Sequence, residues 1–477
     1  MKMPVGPFDG RKKRSRCLAC AASHLKCSGS FPCSNCQRRR IDCVFHGRAP
    51  NQIRFVTAHG EKIAAPVAQG SPCQSQVFKP PRLALGLSVD QVYYLSQYFD
   101  TFLQRNNFNP RTDALTDVVG LMKDQGSETF LHDAVLSLGA MQAVKLHSFE
   151  GVTPSESYRL AVYHYSRSVL GLRHALDKFD QLPGVRHQIL WTTHFLGLFE
   201  LMNDSTGQGW IQHLVHGTSK ALVAAGPTAC YSGLDQRFFT EIRIFEVCRA
   251  IIFNEPTFLA QEEWRKLVQR MKESKGKDGA HSLDDLLDII VLCSTLRVRT
   301  ESFIYSDEED SEQSEKRLDE AYNIAQEGFL LKQALVDWEA SATSSHSPAK
   351  DNENTIYGSF TSLARTFFSA TSIYLSGVFD YEITHWQKMG VVVPNLSEKE
   401  IQMHVATILM QADRVLHGSP VSPVLVLFPL RVAGARSWEC WQQDLVMQHL
   451  TTVEQMFPVA AAFKDDLKDV WSMRGSG

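Results

Sequence analysis

From residue 88 onward, apolar residues recur at three- and four-residue intervals, the spacing that lines one face of an α-helix. Ser88-Val-Asp-Gln91 reads as a capping box, in which each side chain accepts a hydrogen bond from the other residue's backbone N–H. It opens a helix through Tyr94, Leu95, Tyr98 and Leu103. Thr153-Pro154-Ser-Glu156 is a stronger signal, because proline at the first helical position has its φ preset and lacks an N–H that would go unpaired. The helix it opens sets Ala161, Tyr165, Ser168, Leu172 and Ala175 on one face. Ser397-Glu-Lys-Glu400 opens another, carrying Ile401, Val405, Ile408, Leu409 and Val415. Residues 128–146, 188–202, 209–224, 316–338 and 358–378 show the same period. Alternating runs of strand type are few and short, so the pattern predicts a mostly α protein with an all-helical body over 88–470.

Two interruptions, 306–315 (SDEEDSEQSE) and 341–354 (SATSSHSPAKDNEN), are polar enough to predict mobile loops. Ser306, Ser311 and Ser314 are candidate phosphosites within them. The Phe303/Tyr305 pair ahead of the first loop has the look of an acidic-hydrophobic activation segment, but a solvated interhelical loop is the simpler reading. His213 and His216, three apart near Trp210, have no evident third ligand and predict a partly buried helix face. Upstream, residues 46–87 read as a flexible linker, broken by Pro50, Pro66, Pro72, Pro80 and Pro81. It shows no leucine heptad of the kind that would mark a dimerising coiled coil.

Composition changes the picture mainly through its unevenness. With 44% hydrophobic and 21% charged residues, the whole is an ordinary globular chain, neither disordered, collagen-like nor a disulfide scaffold. The longest apolar run, Ile189 to Met202, contains His194 and Glu200, which argues against a transmembrane span and a membrane partner. The opening MKMPVGPFDGRKKRSR has no apolar segment after its charges, so an intracellular, reducing compartment is expected. The net charge of −3 conceals a basic head. Residues 1–48 hold eleven Lys/Arg against two acids, a net of +9, which leaves −12 on the rest. That head calls for a polyanionic partner.

Six of the eleven cysteines crowd the same head as Cys17-x2-Cys20-x6-Cys27-x5-Cys33-x2-Cys36-x6-Cys43. The two halves repeat one another. A segment of this size cannot bury an adequate apolar core, and reduced thiolates make zinc the natural staple. Two tetrahedral ions need eight sulfur bonds, which six thiolates supply only if two of them bridge, at equivalent positions in the repeat. A single four-cysteine zinc would idle two thiols, and three disulfides would need an oxidising compartment.

Residues 17–45, with Lys26 before the third cysteine and Pro32 before the fourth, resemble the fungal binuclear zinc-cluster (Zn2Cys6) module. The resemblance implies that Cys17 and Cys33 bridge two zinc ions, with Cys20 and Cys27 completing one site and Cys36 and Cys43 the other. Leu136-Ser-Leu-Gly-Ala-Met141, Tyr165 to Leu176, Phe199-Glu-Leu-Met202, Trp210 to His213 with Gly217, and Leu427-Phe-Pro-Leu430 with Ala433-Gly434 look like the helical fungal transcription-factor regulatory domain. Members of these families regulate transcription. Many are activators, and several serve secondary-metabolite gene clusters.

The resemblance implies a nuclear, sequence-specific DNA-binding regulator and not an enzyme, docking a short helix in the major groove at CGG-like sites. No P-loop, dinucleotide fingerprint, HExxH or G-x-S-x-G motif is present. Ser23 and His24 fall where family members face base edges, with Lys26 a turn away; Arg38, Arg39 and Arg40 are candidate phosphate contacts. In the basic tail, residues 1–16, the run Arg11, Lys12, Lys13, Arg14 and Arg16 reads as a nuclear-import signal and phosphate clamp. The family usually carries Arg or Lys between the second and third cysteines, where this chain has Ala21-Ala22-Ser23-His24. That departure keeps an alternative open, a regulatory scaffold whose cluster binds protein partners and not DNA. Expected partners are duplex DNA and co-regulators or transcription machinery, with homodimerisation through the body as one arrangement.

Overall fold

The computed structural model describes residues 89–110, 114–125, 129–146, 153–176, 183–275, 282–305, 311–344 and 356–475. The first helices are α1 (Val89–Arg105), α2 (Ala114–Gln125), α3 (Phe130–Leu146), α4 (Pro154–Leu176) and α5 (Pro183–Asn203). A short α6 (Gln208–Ile211) runs through a π-helical stretch (Gln212–Ser219) into α7 (Lys220–Ala225). Next come α8 (Gly233–Phe253), α9 (Glu262–Lys275), α10 (Ser282–Ile304), the long α11 (Ser311–Ser344) and α12 (Ile356–Asp380). The last described helices are α13 (Ile383–Lys388), α14 (Glu398–Leu416), α15 (Leu427–Ala435), α16 (Cys440–Met456) and α17 (Ala460–Gly475). The mostly α expectation is met. Among the described residues, β-type pairing is confined to one parallel bridge between Asn107 and Val421.

α3 is buried at Leu131 and at every residue from Asp133 to Ala143, so it has no solvent face and sits inside the first group of helices. α1, α4 and α5 pack around it. Two polar groups on α3 are matched by α4: Asp133 accepts from His164 Nδ1 at 2.7 Å and Arg167 Nε at 3.2 Å, and Ser168 Oγ donates to the Phe130 carbonyl at 2.7 Å. Gly139 lets α1 come close. A Cβ there would lie 2.1 Å from the Leu95 carbonyl oxygen. In the second group, α12 packs against α10, α14 and α15, while α8 joins the groups by touching α5, α10 and α15. The residues around the bridge stitch them again: Asn107 N–H donates to the Pro420 carbonyl at 2.9 Å, and Ser422 N–H to the Asn107 carbonyl at 3.0 Å.

Both downstream capping boxes form. Thr153 N–H donates to Glu156 Oε2 at 3.1 Å and Glu156 N–H to Thr153 Oγ1 at 3.3 Å; Ser397 and Glu400 do the same at 2.7 and 3.3 Å. The α14 face expected from the pattern is buried at all five positions, Ile401, Val405, Ile408, Leu409 and Val415. Ser88 lies outside the described residues, and the expected helix through Tyr94, Leu95, Tyr98 and Leu103 forms as α1. Leu95, Phe99 and Phe102 point inward and Tyr94 is exposed, because a phenol keeps its hydroxyl wet and a phenyl ring has none to lose.

Other expectations are corrected. Residues 311–315 and 341–344 are helical, as the ends of α11, and not loop; Ser341 Oγ donates back to the Asp337 carbonyl at 2.8 Å, which satisfies the hydroxyl within the helix. Phe303 belongs to the last turn of α10 and is buried against Trp386, with ring centroids 5.9 Å apart, so it is core and neither solvated loop nor activation segment. The run 209–224 is helical but widens into the π stretch.

Candidate functional site

The six clustered cysteines, Ser23, His24, Lys26, Arg38 to Arg40, the Arg11–Arg16 run and the linker all lie outside the described residues. Their chemistry is still bounded by the rest of the chain. Cys230, Cys248 and Cys293 are buried free thiols in the body. Burial pushes Cys230 and Cys248 up to about 12, Cys230 with help from Asp235, and pushes Cys293 up as well. A thiol held protonated is neither nucleophile nor metal ligand. Among the described residues no group of three or more His, Cys, Asp or Glu side chains could hold a metal ion. The spacing and number of the six clustered thiols fit two four-coordinate ions.

The histidine pair near Trp210 resolves at one member. His213 sits in the π stretch, half-buried, and shares a 2.9 Å hydrogen bond between its Nε2 and the Tyr165 hydroxyl. Burial pushes His213 down to about 4, so the ring is neutral. The same burial, with the Glu200 carboxylate alongside, pushes the Tyr165 phenol up. Tyr165 also stacks on Phe199 at 4.6 Å. The π stretch is held from the other side by Thr218 Oγ1 donating to Thr193 Oγ1 at 3.0 Å, with Gly217 against the Thr193 side chain. This is a packed brace between α4, α5 and the π stretch.

A second polar centre surrounds Glu246 on α8. Its carboxylate accepts from Arg249 Nε and Nη2 at 3.0 and 2.8 Å, from Thr257 Oγ1 at 2.9 Å and from Ser219 Oγ at 2.9 Å. Every lone-pair direction is used, so the charge is stored and not offered. No sequence signal marked this pair, nor Arg297, Arg431 and Arg436, which line a cavity between α8, α10, α12 and α15. Arg297 on α10 lies more than a hundred residues from Arg431 and Arg436 on and after α15, so local spacing could not have joined it to them.

Two matches define the class. Residues 92–477 match the fungal specific transcription factor domain, and the chain belongs to that family. Residues 15–52 match the fungal Zn(2)-Cys(6) binuclear cluster domain, which binds two zinc ions. These are transcription-factor domains and not enzymes. The chain is also similar to uncharacterized protein AN5342 of Emericella nidulans, 26% identical over 119 residues, which is 25% of each chain. It thus spans about a quarter of the length of that curated relative. No solved structure matches. Among the described residues no helix is long and apolar enough to cross a membrane.

Proposed function

We propose that this protein is a nuclear, DNA-binding transcription regulator that reads CGG-like half-sites, and acts as an activator, in the control of a secondary-metabolite gene cluster. The observation that carries the reading is the order of two family matches in one chain, a zinc-cluster domain over 15–52 followed by a fungal transcription-factor domain over 92–477. The charge distribution supports it, with +9 concentrated in residues 1–48.

In this reading Cys17 and Cys33 bridge the two zinc ions, Cys20 and Cys27 complete one and Cys36 and Cys43 the other. The metals would supply the fold of the head and no chemistry. Arg38, Arg39 and Arg40 contact phosphates, and the run from Arg11 to Arg16 serves import and holds backbone. The body meets co-regulators and supports homodimers.

The test uses the full chain. It should hold two zinc ions by elemental analysis, and Cys17→Ser should lose both while Cys43→Ser loses one first. A gel-shift series at two salt concentrations should favour a CGG-containing duplex over its scrambled counterpart. One zinc per chain would refute the cluster. Two zinc ions without any duplex preference would favour the scaffold, the reading that Ala21-Ala22-Ser23-His24 keeps alive.

A further inference from the structure

α11 is the longest helix described, and its two sides differ in kind. One side is fixed to the body. Ile324, Leu331 and Trp338, seven apart, are buried, and the Trp338 ring stacks on Phe368 of α12 with centroids 5.4 Å apart. Gly328 seats the helix closely, since a Cβ there would lie 2.6 Å from the Phe379 ring. Arg299 of α10 adds bonds of 2.7 Å to both Glu320 and Glu327. The opposite side is open. Tyr322, Phe329 and Val336, also seven apart, are 51%, 45% and 49% exposed, and Leu330 beside them is 64% exposed.

Single apolar side chains on a surface need no account, but these form a line. With Gln326 and Gln333 they run 322, 326, 329, 333, 336, at alternating intervals of four and three. That is the seam of a two-stranded coiled coil, whose average of 3.5 residues keeps a second helix in contact over several turns. The seam points away from the buried face, so a second helix can lie along α11 without displacing anything. α11 is already held rigid, which keeps the ordering cost of pairing low.

The flanking charges say which helix fits. Lys332 immediately precedes the seam residue Gln333, and Asp337 immediately follows the seam residue Val336. In a parallel pair those two flanks, five residues apart, meet across the seam, so Lys332 of each copy faces Asp337 of the other. Both have capacity left. The Lys332 ammonium gives one of its three N–H groups to the Asn395 carbonyl at 3.0 Å, and one Asp337 oxygen accepts from Gln333 Nε2 at 2.9 Å. An antiparallel pair would set like flanks against like. In the parallel pair Gln326 and Gln333 each meet their own copy, and amides can pair there as donor and acceptor, the kind of polar layer that fixes register. Toward the N-terminus Asp319 comes next in the seam and would meet its own charge, so pairing starts at Tyr322.

We infer that the exposed face of α11, from Tyr322 to Asp337, is a docking surface for a second copy of this chain, joined as a parallel two-helix seam. This rests on the reading that the body supports homodimers, and it names the surface. A seam of this length buries on the order of 1,000 Å² over both copies, the low end for a specific interface, so a reversible dimer of about micromolar affinity is expected.

Sedimentation velocity of the full chain over a dilution series measures the dimer constant. Phe329→Glu changes an exposed position, and far-ultraviolet circular dichroism should report it as folded. It should weaken pairing at least about a hundredfold, because two carboxylates then face one another in the seam. Lys332→Asp and Asp337→Lys should each weaken pairing about tenfold, and the two together in one chain should restore it, because the exchanged charges still meet. If the unaltered chain is monomeric throughout, the surface and the homodimer reading fall together. If it dimerises and Phe329→Glu pairs as tightly, homodimers stand and this surface falls. A double exchange that does not restore pairing overturns the parallel seam.

Discussion

Gly139→Ala tests the closest helix contact in the body. The new Cβ would stand 2.1 Å from the Leu95 carbonyl oxygen, inside the 3.0 Å that such carbons essentially never cross, and a tight 3.2 Å from the Phe99 nitrogen. The obstacle is backbone in the middle of α1 and has no rotamer to escape into. α1 would have to retreat by about 1 Å, loosening Leu95 and Phe99, which are fully or almost fully buried, and the edge-to-face contact of Phe99 with Phe195 at 5.2 Å. Overpacking of this kind costs about 1–3 kcal/mol, and an immovable neighbour places it at the upper end. Against that, alanine is better than glycine in a helix by about 1 kcal/mol. The net expectation is a loss of about 2 kcal/mol. Gly120→Ala supplies the opposite case, since that α2 glycine is exposed with nothing within 4 Å of a Cβ, and it should gain about 0.5–1 kcal/mol. Urea unfolding of the full chain, followed by far-ultraviolet circular dichroism, measures both. A Gly139→Ala midpoint at or above that of the unaltered chain would refute the close approach of α1 to α3.

The other predictions concern charge and recognition. Arg249→Met should cost about 3–5 kcal/mol in the same unfolding assay, because it strands the Glu246 carboxylate, 2% exposed, without its cation. Burial, with Asp117 nearby, pushes Glu241 up to about 7, so the folded state keeps that proton longer and stability falls between about pH 4.5 and 7; Glu241→Gln should therefore gain on the unaltered chain at pH 8 and not at pH 4. His194 has the opposite sign: burial pushes it down to about 3, and stability is lost as pH falls below about 6.5, a loss that His194→Phe should remove in pH-dependent melts. In gel shifts, His24→Ala should lower the preference for a CGG-containing duplex by about 1 kcal/mol while sparing scrambled DNA; an unchanged ratio would show that His24 is not a base reader.

What could be read from the chain alone was whatever depends on near neighbours. The spacing of Cys17 to Cys43 is legible because the same short pattern, C-x2-C-x6-C, occurs twice among near neighbours. The Thr153/Glu156 and Ser397/Glu400 boxes need only four residues each, and both form as the residues demand. The period of α14 likewise marked its buried face, because a helix turns the same way whatever it packs on. Other features were decided by which helices meet. Gly139 became indispensable only when α1 was laid across α3, and Phe303 became core only when α13 brought Trp386 beside it. The same holds for the π stretch, braced by Tyr165 from α4 and Thr193 from α5, and for the cavity where Arg297 meets Arg431 and Arg436. Helix start, stop and face are set by interactions a few residues long; packing partners are set by the fit of whole surfaces, which local pattern does not encode.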